Sequence, residues 1–168
     1  MRFFNVVIVS CFCCLSFSQQ SELSFLIKNF GINVDGQFNR YKIEIIQDDD
    51  GSLVSISGVV YVKTVETGID ARDEHLQTEA YFDALKYPEI VLESTSVLPL
   101  DNTRYRVEAR LSIKGVTKTI NFRGTLLENN WGPRFETEFE INRQDFSVGG
   151  GGVLGKVVKV RVIYYLRS

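Results

Sequence analysis

The sequence predicts an all-β fold of about eight antiparallel strands. Apolar and polar residues alternate with period two through most of the chain. Turn-forming clusters interrupt that alternation at short intervals, which makes successive strands antiparallel neighbours. No Pro- or Ser-rich linker, low-complexity tract or internal repeat divides the 168 residues, a length that suits one domain.

Residues 1–18 read as a segment apart from the fold. Met1-Arg2 gives a positive start, Phe3 to Leu15 is an apolar run, and Ser16-Phe17-Ser18 offers small residues to a signal peptidase. The run is shorter than the ~20 residues of a membrane span, so the expectation is a cleaved signal peptide, with residues 19–168 as the exported domain. Periplasmic or secreted localisation follows, with no stable membrane span in the mature form. Cys11, Cys13 and Cys14 all lie inside this segment. The mature chain is therefore expected to have no disulfide, zinc–thiolate site or cysteine nucleophile. Lipidation at one of these cysteines would need a lipobox, and no clean one surrounds them.

The strands follow in order. Phe25 and Ile27 oppose Ser24 and Lys28 in a first strand near 23–29. Tyr41, Ile43 and Ile45 oppose Lys42 and Glu44 in a second, placed at 32–46. Val54, Ile56, Val60 and Val62 oppose Ser55, Ser57 and Lys63 in a third at 53–63, after the turn Asp48-Asp49-Asp50-Gly51. A fourth strand lies at 89–98. Val107, Ala109, Leu111 and Ile113 oppose Glu108, Arg110, Ser112 and Lys114 in a fifth at 103–114, between turns at Asp101-Asn102 and Gly115. Ile120 and Phe122 oppose Asn121 and Arg123 in a sixth at 117–128. Glu128-Asn129-Asn130 is the next turn. Phe135, Phe139 and Ile141 oppose three glutamates in a seventh at 133–142, and Val158, Val160, Val162 and Tyr164 oppose Lys159, Arg161 and Tyr165 in an eighth at 156–167. Each has one wet and one dry face.

Asp70 to Lys86 breaks the alternation. Leu76, Ala80 and Leu85 suit a helix, with Asp70 as N-cap, and Pro88 enforces an extended exit. One or two short helices are expected between the third and fourth strands. Eight one-sided strands bury their dry face in either a sandwich or a closed barrel, and the alternation alone does not choose.

Charge and motifs exclude several functions. A net charge of −2, with scattered Lys and Arg, argues against nucleic acid; loss of Arg2 with the signal makes it −3. Arg72-Asp73-Glu74-His75 is the one cluster with acid–base potential, yet His75 is the sole histidine and no nucleophile elbow occurs. It reads as a helix start with local ion pairs, giving no catalytic residue and no metal site. The Asp48–Gly51 run lacks the alternating ligands and distal Glu of a calcium loop. Gly149 to Gly152 lacks the Gly-Lys-Ser/Thr of a phosphate-binding loop and reads as a flexible connection. Phe25, Phe30, Phe38, Tyr81, Phe82, Phe122, Phe135, Phe139 and Phe146 are many large rings for a small domain. A filled core and a lined cavity have the same sequence pattern here.

Certain residues resemble a known family. Thr67-Gly68, Arg72-Asp73-Glu74-His75-Leu76, Tyr81-Phe82-Asp83 and Tyr87-Pro88-Glu89-Ile90 follow its T-G, R-D-x-H-L, F-F-D and K-Y-P-x-I pattern, and Glu93-Ser94-Thr95-Ser96 continues it. Leu111 to Lys118 is similar to L-x-I-x-G-V-T-K, and Ile141 to Phe146 to I-N-R-x-D-F. The chain resembles the YceI-like family of exported, lipocalin-like polyisoprenoid-binding proteins over nearly all of the mature length. It departs at Glu22-Leu23-Ser24, where the family carries a His-Ser, at Tyr81 in place of Phe, and in its glycine-rich loop.

The resemblance implies an eight-stranded lipocalin-like barrel with a helical segment at one end. It further implies an apolar lipid ligand, an isoprenoid or isoprenoid quinone, in place of a cofactor, and it suggests a homodimer. The alternation then supplies a candidate lining: Phe25, Ile27, Phe38, Ile43, Val54, Ile56, Val60, Leu111, Ile113, Phe122, Phe135, Phe139, Val160 and Val162. Tyr81 and Phe82 are placed near the cap, and Arg72, His75 and Arg143 at the pocket mouth. The expected function is non-enzymatic carriage or sequestration of the lipid. The alternative is an interaction module with a filled core.

Overall fold

The computed structural model describes residues 21–129, 132–152 and 154–166. The segment expected as a signal peptide lies outside the described residues, as does Asn130 of the predicted turn. The fold is all-β, as the alternation predicts, but with ten strands among the described residues: β1 (Glu22–Asn29), β2 (Ile32–Phe38), β3 (Tyr41–Gln47), β4 (Leu53–Tyr61), β5 (Val65–Glu66), β6 (Glu89–Pro99), β7 (Arg104–Ile113), β8 (Val116–Asn129), β9 (Gly132–Asn142) and β10 (Leu154–Tyr165). Among the described residues one α-helix, α1 (Asp70–Leu76), lies between β5 and β6. Among the described residues no helix is long and apolar enough to cross a membrane.

The expected count of eight fails at two places. The segment 32–46 is two strands, because Asn39-Arg40 puts two exposed polar residues in succession and turns the chain a corner. The predicted third strand stops at Tyr61. A 3₁₀ turn at Val62–Thr64 then leads into the two-residue β5, which pairs Gln37↔Glu66 and Phe38↔Val65 with β2. The expected Asp70 cap is also corrected: Ile69 occupies the N-cap without a side-chain hydrogen bond, and Asp70 is the first helical residue.

All strands form one antiparallel sheet in the order β3-β4-β6-β7-β8-β9-β10-β1-β2-β5. The connection of β2 to β3 makes this sheet curl. These strands sit near opposite ends of the order, yet three Cα steps join Phe38 to Tyr41, at most about 11 Å. The two margins must therefore meet at this corner. Asn39 N–H donates to Thr64 O at 3.1 Å and Tyr61 N–H to Arg40 O at 3.0 Å. Among the described residues no ladder joins β2 to β3, so the sheet is a curled half-barrel.

The inside of the curl is divided. Leu53, Ile56, Tyr105, Val107, Ala109, Phe122, Leu126 and Phe135 form a buried block. Phe135 reaches fully into it because Gly124 leaves room: a Cβ there would lie 2.3 Å from the ring. Around the cap, Leu111, Ile113, Phe146 and Val148 form one cluster and Phe38, Val60 and Val65 another. On the opposite wall the inward apolar residues of β1 and β10, among them Phe25, Ile27, Val158, Val160 and Val162, are only half-buried. They face a space that protein does not fill.

Candidate functional site

That space is a cavity of about 540 Å³, bounded by the inner faces of β1 to β4 and β6 to β10 and by α1. Its wall is overwhelmingly hydrocarbon. Phe25 and Phe38 meet at 5.6 Å between centroids, Phe38 and Phe82 at 6.2 Å, and Phe122 stacks on Phe139 at 4.9 Å. The Phe25 ring lies flat against its cross-strand partner Gly36, where a Cβ would come within 2.4 Å of it. The glycine thus lets the ring hug the wall.

The cap is fixed by polar bonds in Thr67-Gly68 and Arg72-Asp73. Thr67 donates through N–H and Oγ1 to Asp73 Oδ1 at 2.9 and 2.5 Å. Arg72 donates through Nε to Thr67 Oγ1 at 2.7 Å and through Nη2 to Thr67 O at 2.6 Å. Gly68, at φ 80°, makes the turn that brings these groups together. The His75 ring meets the Tyr81 ring edge-on at 4.8 Å. Thr67, Ala71, Arg72, His75 and Leu76 present their inward sides to the cavity.

Of the sequence-predicted lining, every residue but Val54 is on the cavity wall, and so are Tyr81, Phe82, Arg72, His75 and Arg143. Val54 is a correction. It is 52% exposed and points outward. The β3–β4 register runs Ile46↔Ser55 then Gln47↔Leu53, so Val54 is the extra residue of a bulge and Leu53 takes the inward place. Arg143 is also corrected, from the mouth to the interior. At 4% exposure it donates to Gly155 O at 2.8 Å, Val148 O at 2.7 Å and Leu154 O at 3.0 Å. It ties the loop between β9 and β10, at Val148, to the first residues of β10.

Other wall residues were missed. Ile141 and Val158 share the phase of Phe139 and Val160, so the alternation contained them. Leu23, Asn29 and Val34 could have been found by carrying the first hairpin's pairing through its turn. Ala71 has no signal and Leu76 only that of a helical apolar position within the family pattern, since both come to the wall through the fold of the cap. Among the described residues no group of three metal-binding side chains occurs.

The site is thus an apolar cavity within a curled antiparallel sheet, capped by a Thr-Gly/Arg-Asp strap. A family model described as the YceI-like domain matches residues 17–164. The chain belongs to the YceI-like family. This YceI-like chain is 28% identical over 138 residues to a UPF0312 protein of Yersinia pestis, covering 77% of this chain and 71% of that one. The crystal structure of BcnA from Burkholderia cenocepacia superposes with a TM-score of 0.79 at 22% identity, covering 85% of this chain and 94% of BcnA. A polyisoprenoid binding domain from Saccharophagus degradans, implicated in plant cell wall breakdown, superposes at 0.65 and 18% identity, covering 85% and 91%. These likenesses concern the fold. Within it, the segments that carry the family pattern build the cap, the start of β6, the β7–β8 hairpin and the end of β9 with the turn after it, while residues outside those segments supply much of the wall.

Proposed function

We propose that this YceI-like protein is an exported, non-enzymatic carrier or reservoir that holds the apolar chain of an isoprenoid, an isoprenoid quinone or a similar amphiphile inside the curled sheet. The observation that carries the reading is the roughly 540 Å³ apolar cavity. An apolar cavity of about 150 Å³ takes up benzene, so this one has room for several five-carbon units. Each buried methylene contributes up to about 0.8 kcal/mol. Several isoprene units then exceed the roughly 4–15 kcal/mol cost of immobilisation. Affinity rises with chain length until the space is full, and selectivity among chains is weak. Arg72 and His75 lie where a head group would meet the cap. Neither is arranged for chemistry: Arg72 is committed to Thr67, and the His75 side chain has no hydrogen-bonded carboxylate or nucleophile among the described residues. The alternative of an interaction module with a filled core is disfavoured by the cavity itself.

The test is to purify the exported chain, extract it with organic solvent and identify co-purifying compounds by mass spectrometry, then titrate isoprenoids of increasing length. Recovery of a long apolar compound and affinity that grows with length are expected. An empty protein that also binds no added isoprenoid overturns the reading.

A further inference from the structure

Two hairpins close with the same tight turn, both central residues at positive φ: Phe30-Gly31 at 50° and 78° between β1 and β2, and Lys114-Gly115 at 50° and 75° between β7 and β8. This turn matches strand twist, but its first central position favours Asn, Asp or Gly and is unfavourable for a bulky side chain. At Lys114 the side chain compensates. Its ammonium donates to Glu79 O at 2.6 Å and Ser147 O at 3.0 Å, tying the cap and the β9–β10 loop to the hairpin. At Phe30 no contact among the described residues compensates. The ring is 74% exposed, and Ile32 just beyond is 71% exposed. A crowded backbone that holds an aromatic ring in water serves neither packing nor solubility, so it points to function.

The surroundings indicate which partner. Lys28 precedes the turn, and Gly155 packs against its backbone, which brings Lys156 and the exposed Val157 beside the hairpin. Both lysines are exposed, and neither is in an ion pair among the described residues. The tip is also continuous with the cavity. Ile27 and Asn29, which lead into it, line the cavity together with their strand partners Val34 and Leu154.

We propose that the β1–β2 tip is a membrane-docking element: Phe30 and Ile32 enter the boundary between head groups and acyl chains of an anionic phospholipid bilayer, and Lys28 and Lys156 meet its phosphates. An aromatic tip flanked by cations is the composition that partitions there. Docking sets the end of the cavity against the layer from which an apolar cargo would be taken, a purpose that rests on the lipid-carrier reading.

The experiment measures flotation with vesicles of phosphatidylcholine plus phosphatidylglycerol, and with phosphatidylcholine alone, for the wild-type chain and for Phe30→Asn. Both proteins share one N-terminus, so their difference isolates the tip. Asn suits the turn, and a higher melting temperature in Phe30→Asn certifies its fold. The wild type is expected to float with the anionic vesicles, and Phe30→Asn to partition about tenfold less, the loss of one ring from the interface. Lys28→Gln with Lys156→Gln should erase the preference for anionic vesicles and its sensitivity to salt. Unchanged partitioning of Phe30→Asn overturns the proposal. So does a change of solution mass from dimer to monomer with partitioning intact, which would make the tip a contact between copies. Cargo recovered from solution by solvent extraction is scored separately: its absence counts against the carrier reading, whereas cargo retained without vesicle binding counts against docking alone.

Discussion

β7 and β10 have the same sequence pattern, yet the middle of β7 is packed solid and the inner face of β10 is open. Val107 and Ala109 on β7 are fully buried against Phe122, Leu126 and Phe135, while Leu111 and Ile113, buried beside Phe146, already edge the cavity. Val158, Val160 and Val162 on β10 point inward just as regularly, yet remain half-open because they face the cavity. One curled sheet therefore has a solid part and a hollow part. Period-two alternation reports which face is dry. It does not report whether side chains from across the curl reach that face.

The contrast is broken most severely by Phe135→Ala. The ring is 2% exposed and closely packed, so its loss is expected to lower stability by about 3–5 kcal/mol in denaturant melts. A loss as small as that from a hollow-wall valine would mean that the block is not solid. Enlargement sharpens the comparison. Ala109→Phe adds a ring where exposure is zero and is expected to cost about 3 kcal/mol. Val160→Phe adds nearly as much between Phe25 and Phe139 but has space to enter. It is expected to cost under about 1 kcal/mol while displacing cargo, read by melting and isoprenoid titration together. Next in size is Arg143→Met, which leaves three carbonyls without their donor. The expected loss is about 2 kcal/mol, with faster amide hydrogen exchange in the β9–β10 loop.

The smallest effect lies outside both regions, in the β6–β7 turn. Backbone N–H groups of Thr103 and Arg104, and then the Arg104 side chain, donate to Asp101 and hold its carboxyl at about 2, below the ordinary 3.8. Because the folded value is the lower one, this stabilisation is complete above 3.8 and disappears as pH falls towards about 2. NMR titration of Asp101 should give that midpoint, and Asp101→Asn should flatten the slight acid dependence of stability. A midpoint at the ordinary value would show that these hydrogen bonds are not kept in solution.

Much of the wall was legible because strand alternation survives tertiary folding wherever the ladders are regular, as along Phe135, Phe139, Val160 and Val162. It failed at Val54, where one added residue shifts the phase, and across Asn39-Arg40, where two adjacent polar residues were the overlooked sign of a corner. The family pattern pointed to Arg72, His75 and Arg143 but not to their tasks. Arg72 bonds to Thr67 and Arg143 to backbone carbonyls, partners that only the folded loops bring near. The hollow itself had no sequence signal, since emptiness depends on where opposing side chains end.

The packing of Phe25 over Gly36 makes capacity adjustable from beneath the ring. A methyl group at Gly36 would evict the ring from its niche and swing it inward, subtracting room from whatever occupies the interior without altering any residue that the occupant touches. In a protein of this design, the longest guest that fits can be tuned at a position whose own side chain is a single hydrogen atom.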